Sequence, residues 1–165
     1  MEHNDKKKGI NYNMNGITHF ILLNSYLVFF FAFIIGAFLD PIFKITIFSN
    51  HIYKDVGFAM IILATIIIYW SQKSSKDSIK KYNKGLIESF FEFGPYKYLR
   101  NPTHLSLFFL TFGFSLVINS FFGVVLNIVA YIITRLFFLK KQERVLSVKH
   151  GQVYDEYKKR VKNWL

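Results

Sequence analysis

From Phe20 to Leu39 the chain runs without a single charge (FILLNSYLVFFFAFIIGAFL). At ~1.5 Å of rise per residue, a helix of this length reaches roughly the ~30 Å of a bilayer's hydrocarbon core. Residues 20–39 are therefore read as a transmembrane span. A second uncharged run, Val56 to Gln72, closes on the interfacial pair Tyr69 and Trp70 and gives a span over 56–72. A third, Leu105 to Thr134, is too long for one crossing. Its middle holds the polar pair Asn119-Ser120, which suits a tight turn between helices. Extended to Pro102 and Leu139, it divides into spans 102–118 and 120–139. The competing reading is one long tilted helix with Asn119 buried in it. The predicted fold is all-α: a polytopic membrane helical bundle of about four transmembrane helices in one domain, 1–165, with a C-terminal helical hairpin.

Charge placement tests that count. The net charge is +11. With a cytoplasmic N-terminus, four spans put the polar tail 1–18 and the segments 71–102 and 140–165 inside, and these hold 18 of the 21 Lys and Arg residues. The positive-inside rule thus favours a multi-pass protein with both termini cytoplasmic. Merging the last two spans would move the basic C-terminus outside, against the same rule. Because the basic residues flank apolar spans, membrane lipids account for them and no nucleic-acid partner is implied. The first apolar run is span-length and no small-residue cleavage site follows it, so it reads as a span and not a cleavable signal. Residues 1–15 are polar and 71–90 rich in Lys and Ser, which reads as two mobile segments, the second placed to gate a pocket.

Several chemistries are excluded by residue type. There is no cysteine, hence no disulfide, thiolate metal site or Cys nucleophile. The nine glycines never fall closer than seven residues apart, so no Gly-x-Gly turn or phosphate-cradling loop exists. Of the histidines at 3, 19, 51, 104 and 150, only His51 has an acid, Asp55, at i, i+4 spacing, and two such groups alone do not make a metal site, so none is expected.

Two blocks remain. The first, Gly94 to His104 (GPYKYLRNPTH), runs into the third span. Asn101 and Pro102 read as N-cap and first helical residue, leaving free backbone N–H groups at the cytoplasmic interface. With Arg100 beside them they suit a carboxylate or phosphate; equally, Arg100 snorkels to a lipid phosphate. The second block begins as the fourth span ends, with Arg135, then Lys140 to Leu146, then Lys149 to Tyr157. A hairpin returns Glu143 to the face of Arg100, where the two could grip opposite ends of a zwitterion, or Glu143 could simply pair with a neighbouring Lys or Arg. Arg135 lies inside the apolar run, where a guanidinium is costly unless it reaches an anion or the interface, and is a candidate substrate-facing group. Residues 143–165 form an amphipathic cytoplasmic segment. Within it Val153, Tyr157, Val161 and Trp164 share a helical face opposite Lys158, Lys159 and Lys162, and Gly151 ends the helix before.

Together the blocks resemble the isoprenylcysteine carboxyl methyltransferase and phospholipid methyltransferase superfamily of small membrane enzymes. The shared elements are Gly94, Pro95, Tyr96, Arg100, Asn101 and Pro102, then Glu143 and Leu146, then Gly151, Tyr154 and Tyr157. The resemblance covers about residues 85–165, the first two spans being similar only in their apolarity. His104 stands where the family usually has Tyr, Gln142 where it has a first Glu, and His150 where Phe precedes the glycine.

The resemblance implies S-adenosyl-L-methionine as methyl donor, held by Tyr96, Arg100, Asn101, Pro102, His104 and Glu143. The methionyl carboxylate would meet Arg100 and the helix N-terminus, the ammonium Glu143, and the sulfonium an aromatic face. His104 and Arg135 are the catalytic candidates, with His104 as base where the acceptor is an amine or thiol. The acceptor expected is a lipid-like or prenylated molecule arriving laterally from the bilayer. A phospholipid amine N-methyltransferase, a nicotinamide-dependent membrane reductase and a non-catalytic membrane homologue are the alternatives.

Overall fold

The computed structural model describes residues 2–43, 45, 51–83 and 93–161, with side chains from Phe20 onward apart from residues 22, 82 and 83. Among the described residues the regular structure is entirely helical. Helix α1 is Glu2–Phe43 and α2 is Ile52–Asn83. A single 3-10 turn at Gly94–Lys97 precedes α3, Pro102–Val117. Helix α4, Phe121–Ile133, passes through a π-helical segment, Thr134–Leu139, into α5, Lys140–His150. Helix α6 is Gln152–Arg160.

Among the described residues, three helical stretches are long and apolar enough to cross a membrane: Leu23–Phe43, Ile52–Lys81 and Phe121–His150. Helix α3 has 16 residues, roughly 24 Å at ~1.5 Å each, and is shorter than the span 102–118 anticipated for it. Burial runs opposite to that of a water-soluble protein. Phe38 and Ile42 are 72% and 70% exposed, whereas Ser25, Ser106, Ser115 and Asn127 are completely buried. An apolar exterior around small and polar interior residues is what a lipid surrounding selects, since lipid rewards close backbone approach and internal hydrogen bonding more than burial of large side chains.

Close approach is achieved with glycine at two crossings. A Cβ on Gly57 would lie 2.8 Å from the Gly113 carbonyl oxygen, and one on Gly113 equally close to the Gly57 oxygen, so α2 and α3 meet backbone to backbone. Gly36 of α1 meets the Gly123 backbone of α4 in the same manner. Inside the bundle the Asn127 amide of α4 donates to the Thr111 hydroxyl of α3. At the far end, the Asp40 carboxylate accepts the Phe122 backbone N–H across 3.1 Å, an anion at the positive end of α4.

The α3–α4 turn forms where the polar pair predicted it. Asn119 adopts φ +57°. Its N–H donates to Leu116 and that of Ser120 to Ser115, both across 2.8 Å, which satisfies the carbonyls left over at the end of α3. The Ser120 hydroxyl then caps α4 by accepting the Gly123 N–H at 2.8 Å. The alternative of one uninterrupted helix through Asn119 is thereby excluded.

Several expected boundaries move. The first span continues beyond Leu39, through Pro41, to Phe43, and the polar tail is helical from Glu2; residues 2–18 contain no proline, and extending a helix costs far less than nucleating one. The second span, anticipated over 56–72, lies within a longer helix, because the Lys- and Ser-rich stretch stays helical to Asn83. Ser71 and Ser78 are buried there, and Ser78 donates to the Ser74 carbonyl at 2.6 Å. The rest of that anticipated mobile segment lies outside the described residues. The last span, anticipated over 120–139, continues without a break into α5. The amphipathic segment 143–165 is divided at Gly151, which takes φ +57°. Its buried face is Tyr154, Tyr157 and Val161; Val153 is 47% exposed, and Trp164 lies outside the described residues.

Candidate functional site

Pro95 and Gly94 shape the turn that begins the site. Gly94 has φ +58°, and a Cβ there would collide with the Ser74 side chain of α2. Only glycine meets both conditions without strain. The turn is thus seated on α2, and it delivers Tyr96, Arg100 and Asn101 to the foot of α3. Asn101 occupies the N-cap position and Pro102 the first helical position, as expected, but the Asn101 side chain makes no capping bond.

The α3–α4 hairpin brings Glu143 back to this foot. Arg100 Nη1 stands 2.9 Å from Glu143 Oε1, and Lys158 Nζ of α6 3.7 Å from Glu143 Oε2. The Arg100 and Glu143 side chains are only 11% and 12% exposed. Glu143 therefore returns to the face of Arg100 as anticipated, and there it pairs with that arginine. The contact is one of ionic proximity without a well-aligned N–H, since Arg100 Nε and Nη1 and Glu143 Oε1 are buried without a hydrogen-bond partner. So are His104 Nε2 and Gln142 Oε1. An unmade hydrogen bond at a buried polar group costs ~1–3 kcal/mol. Five such atoms around one point form a set of donors and acceptors suited to a polar ligand.

Three of these residues, Arg100, His104 and Gln142, line an inner cavity of about 150 Å³. Arg100, Asn101, His104 and Tyr96 line it from the turn and α3, Gln142 and Leu146 from α5, and Tyr154 and Tyr157 from α6. Helix α6 is tied down by the Tyr157 hydroxyl, which donates to the Tyr96 carbonyl at 2.7 Å, and by Ser147, whose hydroxyl donates to Asp155 at 2.9 Å. Burial, and then the Glu143 carboxylate, push the Tyr154 phenol well above its ordinary range, against a smaller pull from Arg100. Burial also raises the Tyr96 phenol, opposed by its hydrogen bond with Thr103. Both rings stay neutral at physiological pH.

A second cavity, about 580 Å³, adjoins the first and shares Ser75, Tyr96 and Thr103 with it. Alone, the inner cavity is below the ~300–1,000 Å³ usual for small-molecule sites; the two together fall inside that range.

Of the residues singled out in sequence, Tyr96, Arg100, Asn101 and His104 line the inner cavity. Glu143 stands behind Arg100, and Pro102 is buried at the start of α3; neither lines it. Arg135 sits half-buried in the π-helical segment and does not line it either. Thr103, Ser75, Tyr26 and Gln72 were not anticipated. For α2 the available signal was serine at 71, 74, 75 and 78, a helical spacing of small residues on the side that receives the Gly94 turn.

A family model described as phospholipid methyltransferase matches residues 53–152, more than half of the chain. The chain belongs to the phospholipid methyltransferase family. The match begins in the first turn of α2 and stops at the first residue of α6. The likeness to phospholipid methyltransferases therefore includes the second apolar helix, which the sequence motifs alone did not tie to it. Tyr154 and Tyr157 lie beyond the matched segment. No curated protein and no solved structure gives a significant match.

Proposed function

We propose that this protein is an S-adenosylmethionine-dependent methyltransferase of a lipid-like acceptor, working at the cytoplasmic surface of the membrane it spans. In this reading α3 completes a four-helix crossing despite its length, because α1, α2 and α4 cover it, and both termini face the cytoplasm as the distribution of basic residues demands.

The observation that carries the reading is the set of buried polar atoms without a hydrogen-bond partner on Arg100, Gln142 and His104, which line the inner cavity, together with Glu143, ion-paired to Arg100 beside it. They fit an amino-acid group. Arg100 Nε and Nη1, together with the N-terminus of α3, would hold a carboxylate. Glu143 Oε1 and Gln142 Oε1 are acceptors for an ammonium. The donor, when bound, supplies a methyl group on a sulfonium, open to in-line displacement by a nucleophile held in register. Tyr96 and Tyr154, neutral and buried, supply aromatic faces for that positive charge. His104 Nε2 is the atom that takes up the proton an amine acceptor must release; a carboxylate acceptor releases none. Arg135 does not line the inner cavity, and this reading assigns it no step.

Calorimetry with S-adenosylhomocysteine on the full chain in lipid nanodiscs tests the proposal. Saturable binding by the wild type is expected, weakened at least tenfold in Arg100→Lys, where the bidentate fork is lost. No saturable binding by the wild type overturns it. Labelled methyl donor supplied with native membranes then shows whether label enters lipid or prenylated protein; label in neither identifies a non-catalytic homologue.

A further inference from the structure

The buried side of α4 runs through Gly123, Asn127, Ala130 and Thr134, at the steps of three and four residues that an α-helix requires. The next buried residue is Leu139, five further on. This longer step falls on the π-helical segment Thr134–Leu139, where hydrogen bonds reach across five residues in place of four and the helix takes up one residue more than an α-helix would. The segment reads TRLFFL and holds no Gly or Pro to cause the irregularity. Its first hydroxyl, Thr134 Oγ1, is buried without a hydrogen-bond partner, whereas Ser106, Thr111 and Ser115 of α3 each donate to the carbonyl four residues back.

That one residue decides what α5 shows to the inner cavity. Each residue of an α-helix turns the side chain by ~100° about the axis. Glu143 is nine residues beyond Thr134, which in an unbroken α-helix is about two and a half turns and points its carboxylate directly away from the buried stripe. Lys141 and Val145 would face inward instead, each within roughly 20° of the stripe. Taking up one residue turns everything after the segment back by ~100°. Gln142 and Leu146 then straddle the stripe and Glu143 comes to its flank. This is the arrangement observed: Gln142 and Leu146 line the cavity, Glu143 meets Arg100 at 2.9 Å, and Lys141 and Arg144 are exposed.

We propose that the π turn is the positioning element of this site: one extra residue in Thr134–Leu139 sets the rotation of α5 so that Gln142 and Glu143, and not Lys141 and Val145, meet Arg100. A plain helix would bring Lys141 toward Arg100, two cations where a zwitterion needs one group of each sign. The π turn thus acts on the ligand through Gln142 and Glu143 and touches none itself. That the ligand is the methyl donor rests on the methyltransferase reading above; the rotation of α5 does not. The consequence is an asymmetry foreign to an ordinary helix. Removing one residue from the segment leaves a plain α-helix with residues 139 onward in their present orientation, while adding one rotates Glu143 out of the site.

Two measurements on the full chain in nanodiscs provide the test. The first is calorimetry with S-adenosylhomocysteine. Deletion of Phe137, whose side chain is 66% exposed, should leave affinity within about threefold of wild type, whereas an alanine inserted between Leu139 and Lys140 should weaken it at least about tenfold. Adding Lys141→Gln and Gln142→Glu to the insertion variant should recover most of that loss, because those two positions then take the orientations of Gln142 and Glu143. Equal loss from deletion and insertion, or no recovery, overturns the inference.

The second measurement needs no donor and exploits a chain without cysteine. Arg100→Cys is paired with Glu143→Cys or with Arg144→Cys and treated with a short bis-methanethiosulfonate. Position 143 should bridge to 100 in the otherwise wild-type chain and in the Phe137 deletion, and Gln142→Cys should replace it in the insertion variant. Bridging of 144 in preference to 143 in the wild-type background overturns the inference. Bridging at 143 with no binding of S-adenosylhomocysteine by the wild type overturns the methyltransferase reading and leaves the role of the π turn standing.

Discussion

The Tyr157 hydroxyl donates to the backbone carbonyl of Tyr96 across 2.7 Å, joining the last helix to the turn that begins the site. The bond spans the whole α3–α5 hairpin, and it fixes one wall of the inner cavity against another. Tyr157→Phe removes it while leaving the ring to pack with Tyr154 and Leu146. A neutral hydrogen bond contributes ~0.5–1.5 kcal/mol net, so a fall of about three- to tenfold in S-adenosylhomocysteine affinity is expected, with helix content by circular dichroism unchanged. Affinity equal to wild type would show that α6 does not shape the donor site.

Glu143 and Lys158 make contacts of unequal consequence. Glu143 is nearly buried, whereas the Lys158 side chain is 41% exposed and 3.7 Å away. Exposed ion pairs contribute ~0–1 kcal/mol, while removing one member of a buried pair leaves a charge uncompensated at a cost of ~3–5 kcal/mol. Glu143→Gln should therefore lower the thermal midpoint clearly and weaken S-adenosylhomocysteine at least tenfold. Lys158→Gln should change either by little. Equal effects from the two substitutions would contradict the assignment of Glu143 to the ammonium.

Gly94→Ala meets two obstacles, a left-handed φ and the Ser74 side chain. The double variant with Ser74→Gly removes the second only. Partial recovery of donor binding in the double variant, relative to Gly94→Ala alone, is the expected pattern, because backbone strain of ~1 kcal/mol remains. Full recovery would mean that the positive φ carries no cost.

The hydrogen bond between Asn127 and Thr111 is internal to the bundle, and neither residue lines the inner or the second cavity. Asn127→Leu should lower stability in detergent by ~0.6–1.7 kcal/mol, the range for interhelical bonds in membranes, without changing donor affinity. A loss of affinity at unchanged stability would connect this bond to the site.

Much of the fold is legible because membrane helices advertise themselves through uninterrupted apolarity. The Asn119-Ser120 turn is legible too, since a positive φ and a hydroxyl cap are what those side chains tolerate and supply. The continuation of α2 to Asn83 is not. Lys and Ser there look like loop chemistry until the Gly94 turn, some distance along the chain, is found seated against Ser74. The buried face of α6 was misplaced for a similar reason: periodicity gives a stripe, but only packing against Leu146 and the turn decides that Tyr154, and not Val153, belongs to it. Arg100 and Glu143 were legible as partners because a hairpin of known length fixes which end returns. The second cavity was not, because among the described residues α1 and α2 scarcely touch each other, and separation between two helices leaves no trace in either sequence.

Glycine set against glycine at Gly57–Gly113 and Gly36–Gly123 gives this bundle an uneven tolerance of mutation. Its outward phenylalanines and isoleucines face a fluid and are interchangeable with other apolar residues at little cost. At Gly36, Gly57 and Gly113 the nearest neighbour of an added methyl is the backbone of the facing helix, which cannot turn aside, so that methyl must push whole helices apart; at Gly123 it would meet the Ser120 and Ser115 side chains. In a randomised library of this chain, those three glycines would stand out as the positions that admit almost nothing, although they lie far from any chemistry.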